Sequence, residues 1–152
     1  MRDINLRQLW PSITVTVMAL ATLPVGARGF GDSLFPECLY YHFFHANIWH
    51  LLCNLIALFS FRPRWKTLAV GYVCASVGAL VPFVSLAQPT CGMSALIYAC
   101  IARRYVSYRI NPWKLLLLNF IFIIIPNVNW KIHLVSFLLS YAAWTLLRRR
   151  KG

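Results

Sequence analysis

Acidic residues are nearly missing from this 152-residue chain, which contains only Asp3, Asp32 and Glu37. Paired-carboxylate hydrolysis, an aspartyl protease dyad and a calcium site each need at least two acids that meet in one place. Three acids near the front of the chain can hardly supply them. The sequence also lacks an HExxH motif, which excludes that class of zinc protease. The five Cys residues are an odd number and lie mostly in apolar stretches, so no disulfide framework is predicted.

Charge of either sign is scarce, because 12% of the residues are charged and 60% are hydrophobic. This balance is not that of a soluble domain and predicts an all-α polytopic membrane protein. The linkers between its apolar stretches are too short for a soluble domain, so residues 1–152 are predicted to form one membrane domain. The stretches predict six transmembrane helices, at residues 13–27, 43–61, 67–86, 93–102, 115–125 and 133–147.

The positions of the Lys and Arg residues predict how the chain is oriented in the membrane. Of the 15 Lys and Arg residues, all but Arg28 and Lys131 fall on one side of the predicted spans. The positive-inside rule therefore predicts that both termini are cytoplasmic. Anionic membrane lipids, and not nucleic acid, are the predicted partners of these cations. An alternative interpretation of the N-terminus is a cleaved signal peptide ending near Ala27, which would leave five spans.

The fourth predicted span is short. Its ten residues would make about 15 Å of helix, against a hydrocarbon core of about 30 Å. This helix must therefore begin inside the membrane, after a non-helical stretch at residues 88–92. Irregular backbone at that depth is tolerated only beside protein or a water-filled cavity, so a cavity is predicted there. The short fifth span, with Asn119 inside it, is expected to lie beside that cavity.

Several polar side chains occur within the apolar stretches, where a polar group without a hydrogen bond raises the free energy of the fold. His50 and Asn54 lie one turn apart on the second predicted helix, with His45 shortly before them. Ser94 follows Gly92 at the start of the fourth helix, where free N–H groups and the helix dipole can stabilise an oxyanion. Interhelical hydrogen bonding is the alternative interpretation of each residue taken singly.

His133 opens the sixth predicted span, beside Trp130 and Lys131. Taken alone, it could be an ordinary interfacial histidine. In the predicted orientation, however, His133, Ser94 and the His50–Asn54 pair belong to the outer halves of three separate spans. They could therefore converge as base, nucleophile and hydrogen-bond donors.

Three motifs, in this order, resemble those of the rhomboid intramembrane serine proteases. They are His-x-x-x-x-His-x-x-x-Asn at His45, His50 and Asn54, Gly-x-Ser at Gly92 and Ser94, and His-Leu-x-small at His133. The resemblance implies a rhomboid-like six-helix bundle that cleaves transmembrane protein substrates near the outer membrane face, without metal or cofactor. The compact form, without an organellar targeting segment, suggests a bacterial inner membrane.

The resemblance also implies a role for each matching residue. Ser94 would be the nucleophile and His133 its general base. His50 and Asn54 would stabilise the oxyanion together with the Ser94 N–H, and His45 would support them. No acid is predicted beside His133, so a dyad is expected instead of a triad, with Tyr98 holding the imidazole ring. Cys91 is the alternative nucleophile, but no motif supplies a base for it.

The chain departs from the family pattern at several positions. It has Ala95 after the nucleophile where the family usually has Gly, and Ser136 and Ser140 replace the Gly-x-x-x-Gly of the sixth helix. These changes are expected to loosen the contact between the fourth and sixth helices. The first loop, residues 28–41, is short and lacks the usual Trp-Arg pair. A non-catalytic rhomboid-like protein that binds transmembrane clients is therefore the main alternative function. A small transporter is disfavoured by the lack of a membrane-buried acid.

Overall fold

A computed structural model describes residues 6–25, 37–85, 90–115, 117, 119 and 128–150. In this part of the chain every regular element is helical and no strand occurs, which confirms the predicted all-α class. The predicted outer loop at residues 28–41 and the predicted fifth span at residues 115–125 lie mostly outside the described residues, as do Asp3 and Asp32.

Seven α-helices are described. The residues at which they begin and end are set by capping side chains and prolines, and not by where the apolar stretches begin and end. The second predicted span begins at residue 43, but its helix starts only after Asn47, whose side chain accepts a hydrogen bond from the His50 N–H at 2.8 Å and caps it. The third predicted span is interrupted after Ala79, because Pro82 cannot continue a helix. The helices are α1 (Trp10–Thr22), α2 (Glu37–Tyr40), α3 (Ile48–Phe61), α4 (Trp65–Ala79), α5 (Pro82–Ser85), α6 (Ser94–Tyr108) and α7 (Trp130–Arg149).

Helix α6 is longer than its apolar stretch. It begins at Ser94, after non-helical residues 90–93, and continues for 15 residues, or about 22 Å. The predicted span ended at residue 102 because Arg103 and Arg104 follow. Arginine is a good helix former, and both guanidinium groups find partners on neighbouring helices, so the helix does not stop at these charges.

Helices α3, α6 and α7 begin at one end of the bundle, whereas α1 and α4 end there. We call the end that holds the first turns of α3, α6 and α7 the site end, and the opposite end the basic end. Leu115 packs against Ala102 and Phe137, and Asn119 donates to the Trp130 carbonyl at 3.3 Å. The contacts that define the two ends are Thr22–Phe43 and Gly78–Ser136 at the site end, and Arg104–Phe61, Arg103–Thr67 and Arg148–Val106 at the basic end.

Helix α6 is the centre of the packing. It contributes side chains to each of the three hydrophobic clusters found in the described residues. Met93 and Leu96 pack toward α1 and α3, whereas Ala95 packs with residues of α2 and α4. Because its neighbours surround it, the position of Ser94 at its first turn is fixed from several directions.

Small residues allow α4, α6 and α7 to approach closely. A Cβ atom added at Gly78 would lie 3.2 Å from the Ser136 Oγ, so Ser136 occupies the space opposite a glycine. The Ser140 hydroxyl donates to the Ala99 carbonyl of α6 at 2.7 Å. Ala95 is only 1% exposed. Ser136 thus packs closely against α4, and Ser140 bonds across the contact between α6 and α7.

The outer faces of the helices are rich in exposed apolar side chains. Ile56 on α3 is 68% exposed, and Val17 on α1 and Val73 on α4 are 60% and 58% exposed. By length and composition, one helix in the described part of the chain can cross a membrane. It is α7, with 20 residues and a mean hydropathy of 1.2. Helices α1 and α3 are apolar but shorter.

We predict that Gly71 is required by its contact with Cys100. A Cβ atom at Gly71 would lie 2.8 Å from the Cys100 Sγ, so Gly71→Ala should lower the free energy of unfolding by about 1–3 kcal/mol. In a Cys100→Ala background the closest contact disappears and the Leu96 Cδ1 remains at 3.3 Å, so the same substitution should cost much less, helped by the helix preference of alanine. Thermal unfolding of the four proteins measures this coupling. An equal effect of Gly71→Ala in both backgrounds would refute it.

Candidate active site

Ser94 is placed by an unusual backbone conformation just before it. Gly92 has φ +102°, a value that side chains rarely permit. Its N–H donates to the Tyr41 carbonyl at 3.0 Å, and Tyr41 is itself fully buried. Met93 is buried in the core and anchors the chain as α6 begins. Ser94 therefore stands at the first turn of a helix of fixed position, where backbone N–H groups have no partner within the helix.

His133 lies directly beside Ser94. The Ser94 Oγ and the His133 Nε2 are 2.8 Å apart, although the residues come from different helices. A serine hydroxyl that donates a hydrogen bond to the unprotonated nitrogen of an imidazole has the arrangement of a nucleophile with its general base. His133 is 5% exposed, so the packing of α6 against α7 fixes where this ring lies.

Tyr98 holds the imidazole from one side. Its ring lies parallel to that of His133, with the two centroids 4.8 Å apart and the planes at 14°. Tyr98 follows Ser94 by one helical turn, so the same helix carries the hydroxyl and the aromatic surface that orients the ring. A stacked aromatic restricts rotation of the imidazole.

His50 and Asn54 border the same site from α3. A Cβ atom added at Gly92 would lie 2.6 Å from the His50 Cε1 and 3.4 Å from the Asn54 Nδ2, so both side chains lie against the Gly92 backbone. Asn54 is 6% exposed, and its Nδ2 has no hydrogen-bond partner among the described residues. A buried amide donor without a partner costs free energy, which a ligand oxygen would recover.

His45 lies behind His50 and does not border the cavity. Its Nδ1 donates to the Phe43 carbonyl at 3.1 Å, which requires the proton on Nδ1. Its ring is 5.2 Å from that of His50, with the planes at 68°. His45 is therefore positioned to support His50 from the turn that precedes α3.

The side chains of His50, Asn54, Ser94, Tyr98 and His133 border a cavity of about 370 Å³. Its polar border includes four of the predicted residues, and the remaining lining is largely apolar. Pockets that bind ligands commonly combine a few convergent polar groups with an apolar wall in this way. No group of three His, Cys, Asp or Glu side chains that could hold a metal ion occurs in the described part of the chain. The four predicted residues at the cavity are His50, Asn54, Ser94 and His133.

Asn129 also lines the cavity, and sequence reasoning missed its role. Its Nδ2 donates to the Thr90 Oγ1 at 2.7 Å and to the Val84 carbonyl at 3.3 Å. It therefore joins the residue before α7 to the segment before α6, and both His133 and Ser94 follow within a few residues. The only local signal was an asparagine directly before an apolar stretch, a position typical of a helix cap.

Cys91, the alternative nucleophile, also borders the cavity. Its thiol lies near the backbone of Ala46, whereas the imidazole of His133 contacts the Ser94 hydroxyl. A thiol needs a neighbouring base or cation to become a strong nucleophile. Ser94 is thus the nucleophilic side chain with a base in contact.

We predict that Tyr98 sets the reactivity of Ser94 through its ring. Tyr98→Phe keeps the stacked surface and should react nearly as the native protein does, whereas Tyr98→Leu should slow acylation of Ser94 by an isocoumarin. A misplaced catalytic group can cost about 100-fold. The acylation rate checks this, with Phe as the matched control. Equal rates for Leu and Phe would show that stacking does not hold His133.

Comparison with known proteins gives no family assignment. No protein-family model matches the chain, and no curated protein matches it.

Proposed function

We propose that this protein is a rhomboid-type intramembrane serine endopeptidase in which Ser94 is the nucleophile and His133 is the general base. The observation that carries the proposal is the 2.8 Å separation of the Ser94 Oγ and the His133 Nε2 at a largely apolar cavity. Ser94 and His133 are 39 positions apart in the sequence, so local chain geometry does not account for their contact.

The proposed reaction begins with transfer of the Ser94 hydroxyl proton to the His133 Nε2. The Ser94 Oγ attacks the carbonyl carbon of the scissile peptide bond, and the carbonyl oxygen becomes negatively charged. His133 then donates the proton to the leaving amine, which breaks the C–N bond and leaves an acyl-enzyme. A water molecule, activated by the same imidazole, hydrolyses the ester and regenerates Ser94.

The negative oxygen of the tetrahedral intermediate needs donors already in place. The Asn54 Nδ2 has no hydrogen-bond partner among the described residues, and both His50 and Asn54 lie against Gly92, two residues before the Ser94 N–H. Donors that are fixed before the reaction stabilise the developing charge without reorganisation. We assign this role to these three groups, with His45 supporting His50.

Membrane residence is supported by the surface of the bundle. Large apolar side chains such as Ile56 and Val73 are exposed on the outer faces, an arrangement that in water would favour aggregation. Most of the Arg and Lys residues lie at the basic end, which supports the proposal of six spans with both termini cytoplasmic. We propose an integral, multi-pass protein of a bacterial inner membrane.

In this orientation the site end faces the outer side of the membrane. The proposed substrates are transmembrane proteins, whose apolar helices match the apolar wall of the cavity. Ala95, the residue that departs from the family pattern, points into the α4 contact beside Ala75 and Ala79. It is therefore proposed to preserve activity.

We predict that Ser94→Ala and His133→Ala abolish cleavage of a transmembrane substrate in liposomes. Loss of the nucleophile or base of a serine protease costs about 10⁶-fold in rate. Ser60→Ala, the same change at an exposed serine of α3, should cleave as the native protein does. Quantified product from single-turnover reactions provides the measurement.

The outcomes of this experiment separate the two functions. Cleavage by Ser94→Ala at the native rate would contradict the assignment of the nucleophile. Substrate that co-purifies with the native protein but is never cut would instead identify a non-catalytic protein that binds transmembrane clients.

We also predict that Asn54→Ala lowers kcat by about 10²- to 10³-fold, less than loss of Ser94, because the oxyanion donors share the charge. KM should change little, since the interaction forms mainly in the transition state. Asn111→Ala, at an exposed asparagine near the basic end, is the control. A rise in KM at unchanged kcat would show that Asn54 binds substrate and does not stabilise the oxyanion.

A further inference from the structure

The basic end contains a second cavity, of about 300 Å³. It lies between the α3–α4 turn and the last turns of α6, on the far side of the bundle from Ser94. Four arginines line it, namely Arg62, Arg64, Arg103 and Arg104. We call this cavity the arginine pocket. A guanidinium group is always charged and carries five N–H donors, so the four together form a concentrated positive site.

No acidic side chain among the described residues balances this charge. The only described acid is Glu37, which begins α2, and the next residue, Cys38, packs with Ala79 at the site end. Like charges held in one cavity repel one another and raise the free energy of the fold, so an anion bound there would be stabilising. The arrangement is therefore that of a site for a negatively charged group.

Contacts with the bundle fix two of the arginines and leave the other two free. Arg103 donates to the Thr67 Oγ1 at 2.5 Å and lies over the Trp144 ring at 5.1 Å. Arg104 donates to the Phe61 carbonyl at 3.1 Å, with its guanidinium 4.3 Å from the Phe61 ring centroid. Each of these side chains is thus oriented by a hydrogen bond and a ring, and retains other donors.

Arg62 and Arg64 are exposed and make no side-chain hydrogen bond with the described residues. Arg62 also has φ +48°, an unfavourable conformation for a residue with a side chain. The chain thus turns sharply where two arginines reach the mouth of the pocket. Planar guanidinium groups bind phosphate oxygens in pairs, which makes phosphate the anion best matched to four arginines.

We propose that the arginine pocket binds the phosphate group of an anionic phospholipid. Trp65 and Tyr108 lie at the same end, 55% and 73% exposed, as expected of aromatic side chains at the level of lipid headgroups. The apolar outer faces of α3 and α4 continue from this level and could contact the acyl chains. This inference needs a bilayer around the bundle but does not depend on catalysis by Ser94.

The test uses the full chain in phosphatidylcholine vesicles that contain a minor fraction of spin-labelled phosphatidic acid. Electron paramagnetic resonance measures the preference of the protein-bound lipid for phosphatidic acid. Arg62→Gln/Arg64→Gln should lower this preference at least about tenfold, since a hydrogen bond between a guanidinium group and a phosphate contributes about a factor of ten or more. Arg149→Gln/Arg150→Gln, which removes two exposed cations outside the pocket, should lower it much less.

An equal fall in the two double variants would show diffuse attraction to the surface and would overturn the pocket. Ser107→Glu provides a second variant, because Ser107 lines the pocket and an acid there would occupy it without removing any arginine. It should lower the preference as much as the double substitution does. Circular dichroism of each variant establishes that it is folded, and a preference that Ser107→Glu leaves unchanged would count against the site.

A free phosphate ion has the same chemistry as the headgroup, so the source must be distinguished. Inorganic phosphate, added to phosphatidylcholine vesicles at the same phosphate concentration, should raise the thermal unfolding midpoint less than phosphatidic acid does. An equal rise that is lost in Arg62→Gln/Arg64→Gln would assign the pocket to soluble phosphate and overturn the lipid proposal.

Discussion

The close approach of α6 and α7 is the constraint on which the proposed chemistry depends. Ser94 and His133 lie in the first turns of these two helices, and the 2.8 Å between the Ser94 Oγ and the His133 Nε2 requires the helices to lie close together. Ser140 bonds to the α6 backbone further down the same contact, and Ser136 fits against Gly78 of α4. Packed interiors tolerate little change in volume. A bulkier residue in this contact would therefore displace His133.

The segments before α6 and α7 fix the position of one helix relative to the other along the bundle axis. Gly92 adopts a conformation that permits the chain to pass His50 and Asn54 closely, and the Tyr41 carbonyl holds its N–H. Asn129 then ties the start of α7 to Thr90. The proposed nucleophile, base and oxyanion donors are thus positioned by two polar contacts, Gly92–Tyr41 and Asn129–Thr90, each between segments distant in sequence. Such prior fixation is what electrostatic stabilisation of a transition state requires.

Much of this arrangement is readable from the sequence, since it depends on local chemistry. The start of α6 at Ser94 follows from the polar stretch around Gly92, and the basic end follows from the placement of cations. The sequence predicts too short an α6, because Arg103 ends the apolar stretch, whereas in the fold Thr67 of a neighbouring helix accommodates its charge. The role of Asn129 depends on Thr90, 39 positions away. No periodicity or local motif reports a contact of that kind.

The central claim is that His133 activates Ser94, and labelling by a serine-directed fluorophosphonate tests it most directly. The account predicts that the native protein, reconstituted in lipid, is labelled, and that peptide mass spectrometry maps the label to Ser94. It further predicts that His133→Ala, folded by circular dichroism, is not labelled on the same timescale. A native protein that stays unlabelled, or a His133→Ala variant labelled at the native rate, would contradict the account.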